Sequence, residues 1–185
     1  ILDAARTKWN FLKFEPGLVG GHCIGIDPYY LIHKANKVGH KSNLLLESRK
    51  INNSISNFIV SKLKKHTKLK DININKSNIL ILGFSFKENC ADVRNTKVFD
   101  IYKILSKNNY NVDIFDPIAN KEDAKNLYNV NFIKTPKINF YDIVLIAVAH
   151  EYFKIKNTKF LFQITKKKSL IFDLKNIFKN KFLSF

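Results

Sequence analysis

A cysteine in a glycine-rich segment is the residue with the clearest chemical potential in this sequence. Cys23 directly follows residues 20–22 (GGH) and precedes Asp27 by four positions. A thiolate becomes a nucleophile where positive charge or backbone N–H groups favour the anion, and a glycine-rich loop could supply such groups. Asp27 could then orient or activate a water molecule. The alternative is a buried, inert cysteine, and the spacing alone does not decide between the two.

A second group of candidate residues follows the first apolar strand of the predicted sheet. Phe86 and Lys87 come directly after it. There, an aromatic ring and an ammonium group could hold part of a nucleotide. Alternatively, Phe86 belongs to the core and Lys87 to the solvated surface. Arg94 opens the next helix, where it could bind phosphate or form a salt bridge with Asp92 or Glu88.

Other site types find less support in the sequence. The turn after the first strand has a single glycine, Gly83, whereas a dinucleotide-binding turn reads G-x-G-x-x-G, so we assign no nicotinamide-binding turn there. No metal site is predicted, because His22 and Cys23 are adjacent, Cys90 is remote and no C-x-x-C or H-x-x-x-H spacing occurs. Cys90 is interpreted as structural. His150 ends the third strand, either at the ligand end of the sheet or as a polar cap.

The hydrophobic pattern predicts the elements that position these residues. Residues 1–33 indicate a helix end followed by a loop, because the glycines and prolines of 14–28 exclude a regular helix. Residues 42–65 have the periodicity of a long amphipathic helix, and 66–77 resemble a linker. Apolar runs at 78–83, 111–115, 143–148 and 170–173 alternate with helices at 96–107 and 121–127. The predicted fold class is therefore α/β, a Rossmann-like doubly wound parallel sheet preceded by a long amphipathic helix and a loop.

Composition narrows the class of protein. The 185 residues are 45% apolar and 25% charged, which is typical of a folded globular chain. The sequence shows no membrane span and no signal peptide, and its two cysteines fit a reducing compartment, so we predict a cytoplasmic protein with no membrane partner. Because the chain contains no methionine, we expect it to be a piece of a longer protein.

The net charge of +17 is typical of nucleic-acid-binding proteins, yet its distribution argues against that function. Residues 1–76 carry +9 and residues 77–185 carry +8, so there is no basic tail. Arg6, Arg49 and Arg94 are the only arginines, although arginine is the side chain best suited to phosphate and guanine contacts. Abundant lysine, asparagine and isoleucine resemble the codon bias of an AT-rich genome. We predict no nucleic-acid partner.

Two blocks of sequence together resemble the UDP-glucose/GDP-mannose dehydrogenase family. Residues 16–31 (PGLVGGHCIGIDPYYL) are similar to the catalytic-cysteine loop of that family. Residues 82–96 (LGFSFKENCADVRNT) are similar to the start of its C-terminal domain, and residues 116–117 and 147–150 also fit. The resemblance covers essentially the whole chain. The forms GGHC and AVAH look most like the branch that acts on UDP-N-acetylhexosamines.

The resemblance implies a chemistry for the cysteine. That family oxidises C6 of a nucleotide sugar twice with NAD to give a uronate, here a precursor for surface polysaccharide. Cys23 would be the catalytic nucleophile, holding the C6 aldehyde as a thiohemiacetal and then as a thioester, and Asp27 would be the catalytic residue that assists proton transfer. Cys23 and Arg94 would contact NAD, and Arg6 would match an arginine that reaches the partner subunit's site. The UDP-sugar substrate would be bound by Phe14, Glu15, Pro16, Gly17, Leu18, Val19, Gly20, Phe86, Lys87 and Lys175.

The resemblance also implies a division of the chain and a partner. Residues 1–33 would be the catalytic-cysteine loop, 34–76 the central dimerisation helix and linker, and 77–185 the C-terminal UDP-sugar-binding domain. A homodimer would form through the helix near 42–65. The family's G-x-G-x-x-G domain is not in this sequence, so we expect the chain alone to be inactive. The alternative is a non-enzymatic nucleotide-sugar-binding or dimerisation module with the same fold.

Overall fold

Four parallel strands form the centre of the molecule, in a computed structural model that describes residues 1–12, 17–179 and 181–184. The strands are β1 (Asn78–Leu82), β2 (Asn111–Phe115), β3 (Tyr141–Ile146) and β4 (Thr165–Asp173). The helices are α1 (Leu2–Ala5), α2 (Cys23–Lys37), α3 (Asn43–Leu69), α4 (Lys97–Lys107), α5 (Lys121–Tyr128) and α6 (Glu151–Ile164).

The strand order indicates where a ligand would bind, at the carboxyl ends of the two central strands. The order is β2-β1-β3-β4, so the chain places β2 on one side of β1 and then places β3 and β4 on the other side. Ligands of such sheets bind beyond the carboxyl ends of the strands, at the point where the order reverses. Here that point lies between the ends of β1 and β3. The predicted doubly wound, Rossmann-like parallel sheet is confirmed.

Helices cover both faces of the sheet, and the alternation of side chains along each strand supplies both cores. Ile79 and Ile81 of β1 pack with residues of α3 and α4, whereas Leu80 and Leu82 pack with residues of α6. Strands of parallel sheets are apolar on both sides for this reason. On the first face, α3 buries only Ser56, Ile59, Val60, Leu63 and Thr67. Much of this long helix therefore lies outside the core.

The sequence-based prediction of a loop through residue 33 is wrong from Cys23 onward. Helix α2 begins at Cys23 and includes both Gly25 and Pro28. Proline in a helix interior removes one backbone hydrogen bond, and that loss is made good here by Arg49, whose Nη1 donates to the Ile24 carbonyl at 3.0 Å. A contact from a distant part of the chain thus permits a helix that the local residues disfavour.

Other boundaries also differ from the sequence-based ones: β4 begins at Thr165, five residues before the predicted strand. Helix α3 continues to Leu69, so the predicted linker is wrong over residues 66–69, where Thr67 is buried and its hydroxyl donates to the Lys64 carbonyl. Helix α6 was not predicted. It is kinked at Asn157, which has a φ of 54°, and its apolar positions follow no regular helical period. Of the helices in the described ranges, none is long and apolar enough to cross a bilayer.

Gly83 allows the turn after β1 to lie against β3, and we predict that a methyl group there is costly. Its φ is +88°, and an added Cβ would lie 2.5 Å from the Val148 Cβ. Gly39 has a φ of +80° with nothing within 4 Å, which makes it a matched control. Gly39→Ala should cost about 1 kcal/mol of unfolding free energy, and Gly83→Ala about 1–3 kcal/mol more. Urea unfolding checks this, and equal losses would contradict it.

Candidate functional site

The segment from Gly17 to Gly21 lies directly against the C-terminal half of the chain. A Cβ added to Gly17 would lie 2.7 Å from the Lys175 Nζ, and one added to Gly21 would lie 2.7 Å from Cδ2 of the Phe86 ring. Gly21 also has a φ of +82°, which disfavours any larger residue. The glycines of this loop therefore allow its backbone to contact side chains that follow β1 and β4.

The middle of the same loop is held by two asparagines. A Cβ added to Gly20 would lie 2.5 Å from the Asn95 carbonyl oxygen. The Asn95 side chain donates to the Gly21 carbonyl at 3.3 Å, and Asn52 of α3 donates to the Val19 carbonyl at 3.0 Å. Backbone contact on one side and amide donors on the other fix the path of the loop immediately before Cys23.

A line of polar side chains on α3 joins the loop and its neighbouring helices. The side chain of Asn53 donates to the Tyr29 hydroxyl of α2 at 2.9 Å and accepts from the Lys97 Nζ of α4 at 3.1 Å. Asn53 is one of four polar side chains of α3 that contact neighbouring segments, and the four occupy the i, i+3, i+4 and i+7 positions of one helix face. We call this set the α3 polar row: Arg49, Asn52, Asn53 and Ser56.

Cys23 and Asp27 share one face of α2. Cys23 is the first residue of the helix, and Asp27 lies four residues later, which brings side chains onto the same face about one turn apart. Both residues are exposed. The first turn of a helix has backbone N–H groups without helical partners, and these favour negative charge. The arrangement places a thiol and a carboxylate side by side at an open surface.

Several of the other predicted residues surround a small cavity at the carboxyl end of the sheet. The cavity has a volume of ≈ 90 Å³ and is lined by Leu18 of the loop together with Phe86, Lys87 and Lys175. Residues 147–149, which follow β3, form another part of its wall. The Lys87 Nζ lies 5.3 Å from the centroid of the Phe86 ring. Three lysines (Lys87, Lys97 and Lys175), the Glu88 carboxylate and one aromatic ring thus line a cavity where the strand order reverses.

The ends of three strands are joined by a buried carboxylate. Asp116, directly after β2, accepts hydrogen bonds from the N–H groups of Phe84 at 2.6 Å and Ser85 at 3.1 Å, both just after β1. Its other oxygen accepts from Ile118 and Ala119, each at 2.8 Å. These four N–H groups satisfy the carboxylate in a buried position and favour its anionic form.

His150 completes this buried cluster. Its Nδ1 accepts from the Asn89 N–H at 3.0 Å, which assigns the ring proton to Nε2. Nε2 lies 3.1 Å from Asp116 and 3.2 Å from the Ser85 hydroxyl, which itself donates to the Lys87 carbonyl at 2.9 Å. His150 is fully buried at the carboxyl end of the sheet, where its ring contacts Asp116. It holds the loop that carries Phe86 and Lys87 against the end of β2.

The Asp116 cluster also changes what the turn after β1 can bind. Burial alone would raise the pKa of Asp116, but the hydrogen bonds from His150 and from backbone N–H groups outweigh it and lower that pKa from 3.8 to about 2. The N–H groups of Phe84 and Ser85 are directed at this carboxylate. They are therefore not free to bind a pyrophosphate, and the turn does not fit the cradle of a dinucleotide.

Arg94 pairs with Asp92, one of the two carboxylates considered from the sequence. The Arg94 Nη2 lies 2.7 Å from Asp92, and Nε contacts both carboxylate oxygens. This pairing raises the pKa of Arg94 and lowers that of Asp92; the charges of Asp123 and Cys23 contribute smaller increases in the pKa of Arg94. The guanidinium is 59% exposed, so it keeps donors for a second anion near Cys23.

The remaining candidate residues fall outside this group. Phe14, Glu15 and Pro16 lie outside the described residues. Arg6 contacts Asp3 at 3.0 Å on the short helix α1. Cys90 is partly buried. Within residues 1–12, 17–179 and 181–184, no three His, Cys, Asp or Glu side chains are arranged to hold a metal ion.

Residues of the α3 polar row and Asn95 were not singled out from the sequence. Their importance follows from contacts across 33 and 74 positions of sequence, as for Asn52 with Val19 and Asn95 with Gly21. One signal was available. Polar residues at helical spacing interrupt the apolar face of α3, and such a stripe indicates a contact with other polar groups.

Comparison with known families assigns both parts of the chain. The model for the UDP-binding domain of the UDP-glucose/GDP-mannose dehydrogenase family matches residues 80–180, and the model for its central domain matches residues 1–54. The chain belongs to the UDP-glucose/GDP-mannose dehydrogenase family. The resemblance noted from the sequence is therefore confirmed.

Curated relatives within the family are longer than this chain. It is 43% identical over 175 residues to UDP-N-acetyl-D-glucosamine 6-dehydrogenase from Pseudomonas aeruginosa, which covers 95% of this chain and 42% of that protein. It is also 43% identical over 177 residues to UDP-N-acetyl-D-glucosamine 6-dehydrogenase from Salmonella typhi, again with 42% of that protein covered. The chain thus spans about two fifths of the length of these relatives.

Solved structures agree with the fold. A UDP-ManNAc dehydrogenase from Pyrococcus horikoshii superposes with a TM-score of 0.78 at 24% identity, covering 99% of this chain and 42% of that one. A UDP-N-acetyl-mannosamine dehydrogenase from Staphylococcus aureus gives a TM-score of 0.73 at 26% identity, with 100% and 42% covered. Both superpositions support the fold described above.

The lowered pKa of Asp116 predicts a specific acid sensitivity. A carboxylate whose pKa falls from 3.8 to about 2 on folding stabilises the folded state above pH 4, and this contribution disappears as the pH falls through 2. It amounts to about 2 kcal/mol. Urea unfolding between pH 2 and pH 5 should show this loss in the parent chain.

Asp116→Asn removes that titration. The variant should be less stable than the parent at pH 5 by about 2–4 kcal/mol, and the gap should narrow by pH 2. Asp71→Asn is the control, because Asp71 forms an exposed pair with Lys168 and should change the profile little. A gap between parent and Asp116→Asn that is the same at pH 5 and pH 2 would contradict the prediction.

Proposed function

We propose that this chain is the part of an NAD-dependent UDP-N-acetylhexosamine 6-dehydrogenase that carries the nucleophilic cysteine and the sugar-nucleotide subsite. One observation carries the proposal. The glycine loop that leads into Cys23 packs directly on Lys175 and Phe86, at the ligand edge of the sheet. A substrate bound at that edge would lie next to the start of α2.

The subsite has the chemistry of a diphosphate site. The ammonium groups of Lys87 and Lys175 can neutralise phosphate oxygens, and the ring of Phe86 offers a surface for a base or ribose. Since small-molecule pockets usually measure about 300–1,000 Å³, the ≈ 90 Å³ cavity can hold only part of a UDP-sugar. The sugar would extend along the open surface of the loop, towards Cys23.

The chemistry at Cys23 follows from its place at the helix N-terminus. The Cys23 thiolate would add to the C6 aldehyde of the sugar to give a thiohemiacetal, and loss of a hydride from C6 would convert this to a thioester. The N–H groups of the first turn that have no helical partner would favour the anionic forms of the site. Asp27, on the same face, would accept the proton of the water that hydrolyses the thioester. The product would be a uronate, a component suited to surface polysaccharide.

The described residues offer NAD few contacts. When bound, NAD⁺ would accept the hydride in each oxidation, but the N–H groups after β1 are directed at Asp116 and form no pyrophosphate cradle. The exposed guanidinium of Arg94 and the Cys23 region are the contacts this chain would provide. We therefore expect the chain alone, mixed with NAD⁺ and a UDP-sugar, to form no NADH.

A second copy of the chain is the partner that α3 fits. Leu44, Ile51 and Phe58 are 84%, 67% and 53% exposed and recur every seven residues, so they form one apolar stripe along the helix. Such a stripe suits the same helix of a second subunit. Ile51→Glu should convert a dimer to a monomer in sedimentation experiments, whereas Ile155→Glu on α6, at 73% exposure, should not. Dimers of Ile51→Glu would contradict the proposal.

Calorimetry with UDP and UDP-N-acetylglucosamine tests the subsite. Lys175→Met and Lys87→Met should each weaken UDP binding about tenfold, because each removes one charge-assisted contact. Lys167→Met, an exposed lysine of β4 far from the ligand edge, is the matched control and should bind as the parent does. Binding that is unaffected by the first two variants, or absent from the folded parent chain, would refute the proposed subsite.

A further inference from the structure

The start of α2 has a structural defect that α3 repairs. Pro28 lacks the N–H that would bond to the carbonyl of Ile24, one turn earlier. An unpaired carbonyl at this position would loosen the turn that contains Cys23. Arg49 of α3 donates from Nη1 to this carbonyl at 3.0 Å, across 25 positions of sequence.

The Arg49 guanidinium is committed to this contact. Its Nε is buried and has no hydrogen-bond partner within the described parts of the chain. Arg49 also begins the α3 polar row, whose next member, Asn52, binds the Val19 carbonyl on the other side of Cys23.

We propose that Arg49 is the positioning residue for Cys23. By holding the Ile24 carbonyl, it orients the first turn of α2 and therefore the N–H groups that favour a thiolate at Cys23. Arg49 acts through the backbone and touches neither the thiol nor the substrate. The inference rests on the proposed function, because it takes Cys23 as the nucleophile.

The rate of iodoacetamide alkylation of Cys23, measured by mass spectrometry at pH 7, tests the proposal. Cys90 of the same chain is the internal reference, since its rate reports general loosening of the fold. In Arg49→Met, Cys23 should react at least about threefold more slowly relative to Cys90. In Pro28→Ala/Arg49→Met, the restored Ala N–H can bond to the Ile24 carbonyl, and the parent rate should return.

The double variant separates this role from a general structural one. If Arg49 acted directly on the thiol or merely stabilised α3, Pro28→Ala would not restore the rate, and the proposal would be overturned. A rate in Arg49→Met equal to that of the parent would overturn it as well. If Arg49→Met does not fold, the comparison of Pro28→Ala with Pro28→Ala/Arg49→Met decides: equal rates support the proposal, and a slower double variant overturns it.

The same data distinguish failure of the inference from failure of the proposed function. If Cys23 of the parent reacts no faster than Cys90, Cys23 is not an activated nucleophile, and the proposed function falls together with the inference. If the parent Cys23 is the faster of the two but does not respond to Arg49→Met, only the role of Arg49 is overturned.

Discussion

The site depends on the close approach of a bare backbone to a folded domain. Gly17, Gly20 and Gly21 lie so near Lys175, Asn95 and Phe86 that no side chain could be added without displacement. The loop is therefore positioned by the C-terminal half of the chain. Since α2 begins two residues after this loop, the same contact determines where Cys23 lies. The α3 polar row also holds this region, through the Val19 carbonyl before Cys23 and the Ile24 carbonyl after it.

The Asp116 cluster determines what the ligand edge of the sheet can hold. In many doubly wound folds, the turn after the first strand presents its N–H groups to a phosphate. Here those groups bind a carboxylate of the protein itself, and His150 joins them to the loop that follows. The cations that remain for an anion near this edge are side chains such as Lys87 and Lys175, which line the cavity beside the glycine loop.

Much of the fold could be predicted because its signals are local. The apolar runs of β1, β2 and β3 are short and bounded by turn residues, and the caps of α4 and α5, Thr96 and Asn120, bind the N–H groups expected of them. Helix α2 could not be predicted, because Gly25 and Pro28 argue against it locally, whereas the contacts that support it come from residues of α3 far along the chain, Arg49 among them. Helix α6 could not be predicted from the sequence pattern, because its kink at Asn157 interrupts the helical spacing of the apolar residues.

The candidate site was predictable to a similar degree. Cys23, Phe86 and Lys87 were singled out by residue type and position, whereas Asn52, Asn95 and the His150–Asp116 contact depend on which distant segments meet.

The central claim is that the nucleotide-binding edge and Cys23 form one site. A crystal structure of this chain with UDP-N-acetylglucosamine tests it most directly. The account predicts the diphosphate at Lys87 and Lys175 and the hexose C6 within about 4 Å of the Cys23 Sγ. A nucleotide bound elsewhere, or a hexose directed away from Cys23, would contradict it.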